Sequence, residues 1–488
     1  MKKFISGMLA LAMSLSLTVC VNAQGEENIV KAQNYQIADM LENVDNWIYG
    51  SDGTYESPKF KKDGEAYIRE NKTDKESILK FPTVSTGEKF ADGIVTFDAK
   101  FNFTGEDGKT VSFNGFQLRA KDTNQRCWTT DDYCILLKPD RVEFQVWKDS
   151  AQEWLLSEPY EMPQDERVTI SVGSVELSAG IYIFIKINDD IIGVMDYGKK
   201  IKEEGYFNIE FSSGMEIYPS EEKDLTIPVI YAEYDAKNQI LKKTTEYITT
   251  GEEVDKLADA VWQISTEKYE NEVFQNRGSI VKEEAFEELY GENSQTLLVN
   301  ENDIGKYFYC KGTTENGVNV IGCMVYVDAM NYVKDNAVYF AVGFTKGVAK
   351  GKSFVFDENN PDVYVDTIDD VVYVPMRGVM EALGYKVWWD GNLRKVFMDT
   401  KGDGQREYDT SFIAGQQGYI DFLGYMSGSM LHPSILMNDR TYLDLNAIAD
   451  IMESLGIIYD EQSGLCVITK SKIELNSEQI MELMNDVY

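Results

Sequence analysis

The chain has 488 residues, 47 basic and 82 acidic, for a formal net charge of −35. A polyanion of that size with no basic stripe repels nucleic acid and anionic lipid, which leaves neutral glycans, cations and proteins as partners. The length suits about three domains, and 43 % hydrophobic with 12 % aromatic residues describes a folded chain rather than a disordered one.

Residues 1–23 have the order of a secretory signal peptide. Lys2 and Lys3 come first, then an apolar run from Met8 to Val19, then the small-residue site Val21-Asn22-Ala23. The run is too short to cross a bilayer. A lipoprotein signal would modify Cys20, but Val19 stands where such signals want a small residue. The expectation is a secreted or cell-wall-associated protein with no transmembrane span.

Residues 30–218 alternate apolar and polar side chains in short runs: Ile94–Phe101, Val111–Ala120, Tyr133–Leu137, Arg141–Lys148, Val168–Val172, Ile181–Ile187, Ile191–Met195 and Gly205–Phe211. Strands at roughly ten-residue spacing predict a jelly roll or sandwich. The strand order, with the Asn188-Asp189-Asp190 turn near the end, resembles the concanavalin/laminin-G-like group. Within Arg141–Lys148, Val142, Phe144 and Val146 point one way and Glu143, Gln145 and Trp147 the other. Gln117 and Arg119 likewise oppose Phe116 and Leu118. If these strands are neighbours, an indole lies on a polar face among Gln, Arg and Glu. A sugar suits such a surface, because its apolar ring face stacks on the indole while its hydroxyls meet planar polar groups. Trp147, Gln145, Glu143, Arg119 and Gln117 are therefore the candidate ligand-binding residues. The bland alternative is an outward face with one tryptophan tucked under a loop. Cys127 and Cys134 bracket a short loop in this region, and export would permit a disulfide between them.

Residues 224–346 read as a second β domain. Leu225–Tyr231 and Val261–Ile264 are strand-like, and Lys282–Tyr290 has the pattern of a short helix. Asn316-Gly317 is a strong two-residue hairpin signal. Folding about it sets Cys310 opposite Cys323 at disulfide distance, so a Cys310–Cys323 bridge is predicted. Asp303-Ile-Gly305-Lys-Tyr307 resembles the corner before a strand of immunoglobulin-like domains. Tyr307 is three residues before the cysteine rather than two, so the likeness carries the sandwich class and not the inter-sheet disulfide.

Residues 350–472 carry one pattern twice. The first copy runs Val372, Pro375, Arg377, then Glu381, Leu383, Gly384, then Trp388, Trp389, Asp390. The second, weaker copy runs Tyr442, Asp444, Asn446, then Glu453, Leu455, Gly456, then Asp460. The pattern resembles the stalk domain named from the N-terminus of copper amine oxidases, which recurs without the oxidase in secreted and wall-associated proteins of Gram-positive bacteria. Each copy is expected to fold as strand, helix and return strand, with Pro375 opening a helix and Gly384 closing it. The longer interval from Asp444 to Leu455 predicts a second helix that is longer or offset. Residues 474–488 form an amphipathic helix, with Ile480, Leu483, Met484 and Val487 on the docking face. The fold class is thus mainly β: a concanavalin-like sandwich, an Ig-like domain and an α+β stalk-like domain.

His432 is the only histidine. A copper site of three imidazoles cannot be built from it, so amine oxidase activity is rejected. A Ser-His or Cys-His arrangement would have to use it as base, and no nucleophile elbow is present. No phosphate-cradling loop occurs. The acid-rich turn Asp399–Gly404 lacks the spacing of a calcium-binding loop. No cofactor is implied. A structural calcium ion, with no location readable from sequence, stays open. The leading expectation is a non-catalytic multidomain protein that binds a glycan or other cell-envelope ligand through its N-terminal sandwich. A glycosidase in the same sandwich needs only two carboxylates and is the alternative. A structural envelope protein is the third.

Overall fold

The computed structural model describes residues 28–37, 48–49, 60–69, 83–103, 113–123, 131–210, 214–268, 286–289, 294–399, 408–421, 423–452, 455–470 and 473–488. The expected signal peptide, Cys127 and most of the Asp399–Gly404 turn lie outside them. The protein is mainly β and divides into two compact units. One takes in the described residues up to Tyr231, with Thr244–Ala260 and Lys311–Cys323. The other takes in Ala232–Lys243, Val261–Cys310 and Met324–Tyr488. The stretch 224–346 is shared between the two.

The first unit is a β-sandwich. One sheet runs, in spatial order, Ala151–Pro159, Arg141–Lys148, Asp132–Lys138, Asn114–Ala120, Gly205–Glu210, Thr83–Phe90 and Ile48–Tyr49. The facing sheet contains Asp190–Asp196, Ile181–Ile187, Arg167–Glu176, Gly93–Phe101, Met215–Tyr218, Ala66–Arg69 and Phe60–Asp63 in that order. Alternation decides which side chains meet between them. Phe116, Leu118, Ile135, Leu137, Val142, Phe144, Phe207 and Ile209 of the first sheet pack against Val95, Phe97, Phe101, Ile183 and Ile185 of the second. Burying one such side chain contributes about 1.5–3 kcal/mol. The outer face of the second sheet is apolar too: Tyr182, Phe184 and Ile191 are covered by Leu225, Ile227, Val229 and Ile248. The expected strands from Ile94 to Glu210 all form.

The hairpin around Asn316-Gly317 differs from expectation. A two-residue turn would pair Thr313 with Val320, but the ladder pairs Thr313 with Asn319. The loop has three residues, closed by Thr314 N–H to Val318 O (3.0 Å), and Gly317 has a positive φ (+87°). That is the loop type with a left-handed third residue. The Cys323 N–H donates to Ile230 O at 2.7 Å, which draws it out of the hairpin ladder. The predicted Cys310–Cys323 disulfide is corrected accordingly: both are buried free thiols. Burial pushes each thiol up to about 12.

A second correction concerns Lys282–Tyr290. Its described part is strand, not helix: Phe286–Glu288 pairs antiparallel with Gln263–Ser265, and the Phe286 ring meets Tyr309 edge-on at 4.9 Å. Cross-strand packing outweighs the helix propensity of the glutamates here.

In the second unit both strand–helix–strand copies form. Val371–Pro375 leads into the helix Met376–Ala382, and Arg440–Asp444 into Leu445–Ile451. The first helix closes with Tyr385 N–H to Met380 O and Gly384 N–H to Glu381 O, both 2.9 Å. Gly384 (φ +97°) supplies the left-handed residue this cap needs. Asp444 replaces the proline and caps the second helix, accepting from Asn446 N–H at 2.9 Å. Both helices have seven residues, so the longer second interval is not longer helix. Val374, Met376, Val379, Leu443, Leu445 and Ile448 share one core. The helix Ser477–Val487 starts with a capping box between Asn476 and Gln479 and buries Leu483, Met484 and Val487. Tyr339 donates to Asp486 (3.2 Å) and Lys346 to the Tyr488 carbonyl (2.9 Å), seating it on the Val338–Ala341 and Lys346–Ala349 hairpin.

Candidate functional site

The outward face of the seven-stranded sheet is polar, and its rows can be read from the register. Ser85, Asn208, Gln117, Cys134, Gln145 and Trp154 stand directly opposite one another across six strands. A second row holds Gly115, Leu136, Glu143 and Ser157. A third holds Asp132, Trp147 and Gln152.

Of the residues expected from sequence, Gln117, Glu143, Gln145 and Trp147 share this face. Gln117, Glu143 and Gln145 are buried, at 0 %, 2 % and 3 % exposure, rather than open to solvent. Trp147 is half-buried, packed with Phe113 against Cys134 and Leu136.

Arg119 does not belong to the face. The ladder slips between Tyr206 and Asn208, and Arg119 takes a positive φ of 53° at that bulge. A bulge re-aims the side chain it carries. Arg119 therefore reaches the facing sheet, donating to Ser174 Oγ (3.2 Å), Lys202 O (3.0 Å) and Asp92 Oδ1 (2.8 Å). Its guanidinium is taken up in bridging the two sheets. Close by, burial and then a hydrogen bond donated to Asp196 (2.5 Å) push the Tyr133 phenol far above its usual range.

Sequence reasoning missed Trp154. The two-residue turn Asp149-Ser150, with φ of 52° and 66°, sets Trp147 opposite Gln152 and Gln145 opposite Trp154. Trp147 and Trp154 are thus diagonal neighbours on one face, both half-buried beside the exposed Gln152. Between them, Gln145 Oε1 accepts from Trp147 Nε1 (3.2 Å) and Gln152 Nε2 (2.8 Å). The signal was in the sequence: a two-residue turn at Asp149-Ser150 fixes this register.

Behind the indoles, polar groups are only partly used. Asn208 Nδ2 donates to Gln117 Oε1 (2.7 Å) and Asp122 O (3.1 Å). Glu143 Oε1 accepts from Lys138 (2.5 Å) and Arg141 (2.6 Å). Gln117 Nε2, Asn208 Oδ1, Glu143 Oε2 and Ser157 Oγ are buried with no hydrogen-bond partner among the described residues. Each such group costs about 1–3 kcal/mol if nothing answers it, so four on one face call for water or a ligand.

A larger cleft of about 1050 Å³ opens at the edge of the other sheet, along Lys62, Asp98, Arg167, Lys186 and Glu222. Two ion pairs close within it, Arg167 with Asp98 and Lys186 with Glu222, both at 2.9 Å. Among the described residues no aromatic side chain lines it. Among the described residues no group of three His, Cys, Asp or Glu could hold a metal ion, and no helix is long and apolar enough to cross a membrane.

Residues 348–463 match the copper amine oxidase N-terminal domain family, which covers the two strand–helix–strand copies. No curated protein matches the chain. Solved structures similar to it include a carbohydrate-binding module, CBM66, from Bacillus subtilis (12 % identity over 36 % of this chain and 93 % of that one, TM-score 0.26). Others are the metal-free Emp46p carbohydrate recognition domain (14 % identity, 37 % and 88 %, TM-score 0.26) and a CBM2 module from the evolved Dit of Lactobacillus casei BL23 phage J-1 (8 % identity, 38 % and 92 %, TM-score 0.25).

Proposed function

We propose that this is a non-catalytic glycan-binding protein, exported by its N-terminal segment and displayed outside the cell, which recognises its ligand on the polar face of the seven-stranded sheet. The observation that carries the reading is the meeting of two features on that face. Trp147 and Trp154 offer adjacent indoles at its accessible edge, and four buried polar atoms behind them lack partners among the described residues. A sugar ring stacks its C–H face on an indole, while its hydroxyls donate and accept as the planar amides require. The C-terminal unit then serves to project or attach the binding face.

A glycan array probed with the intact chain, with reducing-sugar release measured on the same glycans, tests this. The expected result is retention of at least one glycan, lost in Trp147→Ala, with no release. No retention on any glycan, or retention unaffected by Trp147→Ala, contradicts the reading. Release of reducing sugar would move the protein to the glycosidase class.

A further inference from the structure

A second cleft, of about 520 Å³, lies within the C-terminal unit, lined by Trp388, Trp389, Arg377, Asp357, Asp439 and Arg440. That volume is within the range of small-ligand sites. Three local features build it. The return strand Lys386–Asp390 presents the indoles. Asn438 and Asp439, with φ of 50° and 57°, make the tight turn that starts the Arg440–Asp444 strand. Arg440 Nε then pairs with Asp357 Oδ2, and its Nη1 donates to the Asp439 carbonyl at 3.0 Å.

The two copies differ at the indoles. Asp390 and Asp460 do the same job in the two copies, each accepting backbone N–H groups of the turn that follows: Asn392 (2.9 Å) in the first, Ser463 (2.8 Å) in the second. Counting back from these aspartates, Trp388 and Trp389 correspond to Ile458 and Tyr459. Two consecutive strand positions therefore carry Trp-Trp in the first copy and Ile-Tyr in the second. Trp389 is 39 % exposed, and Leu436 on the far rim 49 %. Trp389 and Leu436 thus present apolar surface at the cleft, the kind of lining on which a ligand's apolar face can rest.

We propose that this cleft is a second, separate binding site for a neutral saccharide. Two arginines against two aspartates leave the lining without net charge. Asp357 accepts Asn359 N–H at 2.9 Å on Oδ1 and Arg440 on Oδ2, which leaves lone pairs for hydroxyl donors. Arg440 Nη2 remains for a hydroxyl acceptor. Adjacent sugar hydroxyls satisfy such a donor–acceptor pair together, while the ring stacks on Trp389. A proline-rich peptide in extended form brings mainly acceptor carbonyls and would add no donor to those Asp357 already has.

The experiment uses the full chain carrying both Trp147→Ala and Trp154→Ala, which removes both indoles of the N-terminal face. Cellohexaose, chitohexaose and mannohexaose are titrated against it, with a glycan array for breadth. At least one neutral saccharide is expected to bind, weakened tenfold or more by Trp389→Ala and also by Arg440→Lys, which keeps the charge but loses the fork. Circular dichroism melting confirms that each variant is folded, and Trp389→Phe replaces Trp389→Ala should the latter melt early. Absence of any saccharide binding, binding indifferent to Trp389, or binding of a proline-rich peptide at this cleft instead overturns the proposal. Failure of the N-terminal reading leaves these outcomes unaffected.

Discussion

His432 Nδ1 lies 2.7 Å from Asp444 Oδ2, so the chain's one imidazole serves a helix cap. Asp444 has a side chain only 1 % exposed, and its other oxygen holds the start of the Leu445–Ile451 helix. His432→Ala leaves that buried oxygen without its partner. The expected cost is about 1–3 kcal/mol of stability. Asp444→Ala loses the cap as well and costs roughly 1 kcal/mol more. Urea unfolding of both variants checks the order. A His432→Ala protein as stable as the parent would show that the contact contributes nothing.

Arg119 bridges the two sheets of the sandwich instead of facing ligand. Arg119→Ala strands the Ser174 and Lys202 acceptors and the Asp92 carboxylate. It is expected to destabilise the protein by about 2–4 kcal/mol, somewhat under a fully buried pair because the Asp92 side chain is 45 % exposed. Glycan affinity below the melting temperature is expected to be unchanged. A selective loss of affinity at parental stability would return Arg119 to the ligand face.

The Arg440 guanidinium beside Asp357 holds that carboxyl below its usual range, chiefly through their hydrogen bond. A depressed folded value means that the stabilisation is fully present above the unfolded carboxylate range. It is lost as pH falls through the folded value. Melting temperature is therefore expected to drop between about pH 5 and pH 3 in the parent, and less steeply in Asp357→Asn. The half-buried, partly solvated setting keeps the effect small, within about 1 kcal/mol. Parallel pH profiles for the two proteins would contradict the assignment.

Burial raises the thiols of Cys310, Cys323 and Cys466 up to about 12, which suppresses the thiolate that reacts. At pH 8 these three are expected to resist alkylation in the native protein and to react fully in denaturant. Peptide mapping without reduction is the decisive check. A Cys310–Cys323 cross-link there would restore the two-residue turn and refute the register given above.

Much of the sandwich was legible because apolar side chains recur at every second position on the face turned to the inter-sheet core, as Val95, Phe97, Ala99 and Phe101 do in Gly93–Phe101 and Val142, Phe144 and Val146 in Arg141–Lys148. The Met376–Ala382 helix was legible because Pro375 and Gly384 are backbone requirements at its two ends. What escaped was set by register and by geometry at single residues. One positive φ at Gly317 shifted a ladder and separated two cysteines. A bulge at Arg119 turned a ligand candidate into a clamp. Phe286–Glu288 became strand because a neighbouring strand was there to receive it. On the polar face, Trp154 was recoverable from the Asp149-Ser150 turn. The unpartnered atoms of Gln117, Asn208, Glu143 and Ser157 were not, since pairing depends on positions across four strands.

The most direct test of the central claim is titration calorimetry of the array's best glycan against the parent chain and the Trp147→Ala/Trp154→Ala double variant. Stacking on each indole is worth about 1.4 kcal/mol, a factor of ten. A fall in affinity of about a hundredfold, with melting temperature preserved, is predicted. Equal affinity in the two proteins would contradict the claim that this face binds the ligand.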